Sequence, residues 1–140
     1  MMKVNLVDPA ILTDEHLRAE NVKLQMLLTF IKKHPTGFIP KKYCLGKGHM
    51  SFFRNKYGFI KDRQLLVFDE LCNRKGIKGS LLYSPIKKWK PSKEDIKLNE
   101  SRIIDRLLNP LKKKTPWHYY GEPIKSIEDF IIGNYGDDEE

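Results

Sequence analysis

Between Thr13 and Pro35 the chain spells out both ends of a long helix, and this segment constrains the fold more than any other. Thr13 or Asp14 is placed to cap the free amides of the first turn. Pro35 stops the helix near His34, because its ring disfavours α geometry in the residue before it. Leu17, Leu24, Leu28 and Ile31 recur on one stripe, as a helix with one face against a core requires. His16, Glu20 and Lys23 share another side, at i, i+4 and i+7. The plain expectation for such a group is a solvated polar face, with a Glu20–Lys23 pair contributing about 0.2–0.5 kcal/mol.

Two further helices follow the same logic. Phe59, Leu66, Phe68 and Leu71 give a helical period over roughly 55–75, with Gly76 as its C-terminal cap. Ser92 and Asp95 have the spacing of a capping box and open a third helix. Ile96, Ile103, Leu107 and Leu108 line its apolar side, while Arg102 and Arg106 project together from another face, and Pro110 ends or kinks it. Residues 35–53, with two prolines and three glycines, and residues 76–91, basic and aromatic, read as loops. A short extended lead covers 3–8. No strand pattern or internal repeat appears. The expected fold is all-α, a single compact domain of three helices with long ordered loops.

A chain of 140 residues can bury such a core without metal or disulfide staples. Cys44 and Cys72 lack metal-ligand spacing and read as small buried apolar residues in a reducing compartment. Neither a metal nor another cofactor is expected. No run of eighteen apolar residues exists, so no membrane partner is expected. The segment "MMKVNLVDPA" has no apolar stretch of signal-peptide length, and a cytoplasmic location is expected.

The net charge of +8 divides unevenly: residues 1–124 carry +13 and residues 125–140 carry −5. A body this basic favours a polyanion, nucleic acid first among them, because each neutralised phosphate releases condensed counterions. Aromatic residues interleave with the basic ones in "KKYC", "FFRNKYGF", "KKWKP" and "PWHYYG", as suits stacking on bases. The glycine-rich "LGKGH" at 45–49 lacks Walker spacing and reads as a turn that brings backbone amides and Lys47 to a surface. The acidic tail, 125–140, would serve a protein partner or shield the basic face.

Three pieces, taken in order, resemble the pyrimidine-dimer DNA glycosylases, the endonuclease V family of T-even phages and some bacteria. They are "NLVDPAILTDEHLRAE" at 5–20, "LGKGHMSFFRNKYGFIKDRQ" at 45–64, and "PSKEDIKLNESRIIDR" followed by "PWHYYG". The resemblance spans about residues 3–124. It implies a single-domain, mostly helical, endonuclease V-like protein that grips duplex DNA by its backbone, kinks it and flips out a base opposite the lesion. It also implies an N-terminal α-amine that attacks the sugar C1′ to form a Schiff base, served by a glutamate on the first helix.

Carried over by position, the resemblance assigns DNA-binding roles to Lys3, His16, Lys47, Arg102, Arg106, Trp117, Tyr119 and Tyr120. The candidate catalytic residues are Met1, Glu20 and Lys23. Here the chain departs from the family. Where the family continues Tyr-Arg-Glu-Leu-Pro-Arg, this chain has Asn21-Val22-Lys23-Leu24-Gln25-Met26, so Lys23 replaces the catalytic carboxylate and Val22 and Met26 replace two arginines. Met2 is bulky, so Met1 is expected to be retained and the amine displaced by one residue. A cation at position 23 repels a developing iminium by on the order of 4 kcal/mol at 4 Å and an effective dielectric of 20. The leading expectation is a duplex-DNA-binding protein whose glycosylase chemistry is lost. One alternative is an active repair glycosylase and abasic-site lyase using the Met1 amine or Lys23. The other is an interaction protein that reuses the fold, with "FII" at 130–132 as its contact.

Overall fold

The computed structural model describes residues 3–76, 89–110 and 116–136. They form a mostly helical, compact unit. Helix α1 is Asp14–Lys33, with the Thr13 hydroxyl accepting the His16 amide and Asp14 and Glu15 in the first turn. Helix α2 is the single turn His49–Phe52, α3 is Tyr57–Arg74 and α4 is Lys93–Leu108. Strands β1, His118–Tyr119, and β2, Glu122–Pro123, make a minimal antiparallel hairpin, and α5 is Ile127–Tyr135.

Helices α1 and α3 pack lengthwise, and α4 and α5 contact one another. The core gathers Leu17, Leu24, Leu27 and Leu28 of α1, Ile60 and Val67 of α3, and Ile103 and Leu107 of α4. Ser92 and Asp95 form the capping box at the start of α4, each side chain bonded to the other residue's amide. At the end of α3, Gly76 adopts φ 76°, a left-handed conformation that glycine takes without steric cost.

Several sequence expectations are corrected. There are five helices among the described residues rather than three. Helix α2 and the adjoining 3₁₀ turn, Phe53–Asn55, lie in and just beyond the stretch read as a loop. Both are too short for periodicity to reveal. Phe68 and Leu108 are 57% and 47% exposed, so the buried stripes of α3 and α4 are narrower than expected. Cys44 and Cys72 are half-buried free thiols, not core residues. Most of the second expected loop, 77–88, and Met1 lie outside the described residues.

The largest departure is at the amino end. The extended lead is inside the protein: Lys3, Val4, Asn5, Leu6 and Val7 are all buried. An extended segment with no sheet neighbour must find side-chain partners for its backbone. The Val4 amide donates to His49 Nε2 at 2.9 Å, the Asn5 amide to Glu20 Oε2 at 3.1 Å and the Leu6 amide to Asn99 Oδ1 at 2.6 Å. The Val4 carbonyl accepts from the Tyr43 hydroxyl, and the Val7 carbonyl from Arg63. Helices α1, α2, α3 and α4 therefore each contribute one polar side chain to hold its backbone, and the loop before α2 adds Tyr43.

Candidate nucleic-acid interface

The side of α1 expected to be solvated is largely enclosed: Glu20 is 1% exposed and Lys23 9%. Glu20 accepts four hydrogen bonds, from the Asn5 amide and Nδ2 and from Arg63 Nε (2.7 Å) and Nη2 (3.0 Å). A carboxylate offers about four lone-pair sites, so none is left for a substrate. Glu20 is a fastener for the amino-terminal strand, not a carboxylate poised for chemistry. Asn99 closes the network by donating to Asn5 Oδ1 at 3.0 Å.

Lys23 lies on the neighbouring flank of the same helix, and its charge acts on Lys3 and His49. Burial lowers the pKa of Lys23. The pKa of Lys3 is lowered by burial first and then by the charges of Arg102, Lys23 and Arg106. Arg102, half-buried on α4, is likewise depressed by burial and by Arg106. Lys3 on the amino-terminal segment is thus within electrostatic reach of Lys23 on α1 and of Arg102 and Arg106 on α4. No described carboxylate pairs with Lys23, and Arg106 Nε is buried without a hydrogen-bond partner.

His49 stands at the edge of this group. It accepts from Val4 at Nε2, so its proton sits on Nδ1 and donates to the Cys44 carbonyl at 2.8 Å. Burial pushes its pKa down to about 4, and the charges of Lys3, Lys23 and Arg102 add to the shift. The "LGKGH" turn exists to deliver this ring. Gly48 takes φ 97° just before α2, and a Cβ there would approach Pro40 Cγ to 3.2 Å. Lys47, on the same turn, is exposed.

The remaining expected DNA contacts sit elsewhere and are already engaged. His16 stacks on Trp117 with ring centroids 4.8 Å apart at the start of α1, and its Nδ1 meets the Thr13 hydroxyl. Tyr119 donates its hydroxyl to the Ala10 carbonyl at 2.6 Å, and Tyr120 to Glu70 at 2.9 Å. Both rings flank the Arg74 guanidinium, which is itself paired with Asp14 and Glu70. These tyrosines lock the hairpin onto α1 and α3. An open cavity of about 420 Å³ beside them is lined by Asp14, Arg18, Asn21, Val22 and Arg74 among others.

Sequence reasoning brought Lys3, Lys23, Arg102 and Arg106 forward separately and missed the partners that organise them: Asn5, His49, Arg63 and Asn99. Arg63 gave the one readable signal, a charge on the inward stripe of α3 with Glu20 as its counterpart in α1. Val22 and Met26 are each 48% exposed. No model of a known protein family matches the chain. No described helix is long and apolar enough to cross a membrane.

Proposed function

We propose that this protein binds duplex DNA through its sugar–phosphate backbone, as a divergent relative of the pyrimidine-dimer glycosylases whose base-excising chemistry has been lost. The observation that carries this reading is Lys23. By the resemblance it stands at the family's catalytic carboxylate; it is buried, and its charge, with those of Arg102 and Arg106, acts on Lys3. The acid one turn away, Glu20, is saturated by Arg63 and Asn5. Such a site attracts phosphate and opposes the positive charge that develops at the sugar in glycosidic cleavage. Binding is expected to be weakly dependent on sequence and steeply dependent on salt. Arg102→Ala should weaken all duplexes alike and reduce the log K against log salt slope by about one. Absence of duplex binding at 50 mM salt overturns the reading and favours an interaction protein.

One observation favours a second reading. An enclosed lysine whose pKa is lowered by burial is a candidate Schiff-base nucleophile, as in a rewired abasic-site lyase. Borohydride capture on an abasic duplex separates the two: the binding reading expects no adduct at Lys23.

A further inference from the structure

We propose that Phe38 is a wedge that enters the base stack of duplex DNA, and that the loop carrying it is built to present the ring. The inference rests on the DNA-binding reading and deepens it. Phosphate contacts hold the protein on the duplex, and Phe38 selects places where the stack opens easily. A single exposed apolar residue is ordinary on a protein surface. Three observations set this one apart.

The first is exposure. Phe38, on the loop between α1 and α2, is 80% exposed, more than any other large hydrophobic residue among those described.

The second is support. The loop is fastened on both sides of Phe38, which keeps the ring from folding back. Arg54 Nη1 donates to the His34 carbonyl at 2.8 Å and to the Thr36 carbonyl, and its guanidinium lies over the Phe30 ring at 5.1 Å. Gly37 adopts φ 145°, and a Cβ there would come within 2.7 Å of Arg54 Nη1. The chain thus wraps closely round the guanidinium and leaves it at Phe38. Beyond the ring, Pro40 lies against Gly48, and the buried Tyr43 donates its hydroxyl to the Val4 carbonyl at 3.2 Å. A side chain carried on a loop already held in place gives up little freedom on binding.

The third is charge. Residues 21–61 hold nine Lys and Arg and no Asp or Glu. Lys32, Lys33, Lys41 and Lys42, which flank Phe38 in the chain, are all exposed. Chain geometry keeps the backbone of Lys41 and Lys42 within about 14 Å of that of Phe38, roughly the span of four phosphates along one strand. An apolar ring bordered by cations matches a polyanion with an apolar interior, and a stacked duplex is one. Inserted apolar side chains unstack a base step and kink the duplex, and the cost is least where pairing or stacking is already weak.

The test uses the full-length protein and two duplexes that differ only in a single unpaired base. Each carries 2-aminopurine beside that position, a probe whose fluorescence rises when it loses its stacking neighbours. The parent protein should bind the duplex with the unpaired base about tenfold more tightly and raise its fluorescence at saturation. Phe38→Ala should lose the fluorescence rise and most of that preference, with the salt slope kept, because no charge is removed. Phe38→Trp keeps a ring able to stack and should retain both. At 80% exposure neither change should move the melting temperature by more than about 2 °C, so a lost signal is not a lost fold.

Duplex binding by the parent without a fluorescence rise, or a rise that Phe38→Ala keeps, overturns the wedge and leaves the DNA reading standing. Absence of duplex binding at low salt overturns both. Vesicles of mixed phosphatidylcholine and phosphatidylserine form a third arm. Binding to them that requires Phe38, with no fluorescence rise on either duplex, assigns the ring to an anionic membrane surface and overturns the wedge.

Discussion

Glu20 and Arg63 pair at 2.7 Å with side chains 1% and 5% exposed, so removing either partner leaves a charge where water cannot solvate it. Arg63→Met is expected to destabilise the protein by about 3–5 kcal/mol, because the Glu20 carboxylate loses its counter-charge and two of its four donors and the Val7 carbonyl loses the Arg63 donor. Adding Glu20→Gln should recover part of that loss, since a neutral amide in the same place carries no buried charge. Urea unfolding of both variants checks the order, and a double variant less stable than Arg63→Met contradicts it. His49 is the other residue on which a measurable quantity turns. Its folded pKa, about 4, lies below the ordinary value of 6.5, so the unfolded chain binds the proton more readily. Stability is therefore unaffected by this group above about pH 6.5 and is lost as pH falls from there towards 4, by on the order of 3 kcal/mol. Unfolding free energies at pH 7.5 and pH 5 should differ in the parent protein, with a smaller difference in His49→Gln. An unchanged difference in the variant assigns the pH dependence to other groups.

At the scale of elements, the long helices were legible because their signals are local. Thr13, Pro35, the Ser92–Asp95 box and Gly76 each act within a turn of the boundary they mark. The amino-terminal strand was legible only as extended. Its burial depends on His49, Glu20, Arg63 and Asn99, which stand 15 to 94 residues from the groups they bond. No periodicity within eight residues could announce partners so distant. Lys23 was singled out because a resemblance made its identity unexpected. That it is enclosed, and that its charge, with those of two arginines of α4, reaches Lys3, follows only from the packing of three elements. The glycine-rich turn was legible in part. Read as a turn that brings backbone amides and Lys47 to a surface, it does expose Lys47 but also sends His49 inward to hold a backbone amide. Tyr119 and Tyr120 likewise looked like stacking platforms, and they serve as the clamp on Arg74 that fixes the hairpin.

For the whole molecule, the unresolved tension is between a basic body and an acidic end within one chain. The last residues, Asp137 to Glu140, account for four of the six acids after residue 124, and removing them raises the formal net charge from +8 to +12. Helix α5 precedes them and is structural. The Tyr135 hydroxyl donates to the Ile11 carbonyl at 3.1 Å, and Phe130 meets the Tyr119 ring at 5.4 Å. Two truncations therefore separate charge from packing. Ending the chain at Gly136 removes an intramolecular polyanion that competes with phosphate, and should tighten nonspecific duplex binding several-fold with no change in melting temperature. Ending it at Lys125 also strips α5 from α4, uncovers apolar surface there and should lower the melting temperature by several degrees. Affinity and melting temperature measured together on both proteins decide the matter. If the shorter truncation leaves affinity unchanged across salt concentrations, the acidic end does not shield the basic face, and a protein partner becomes its remaining role.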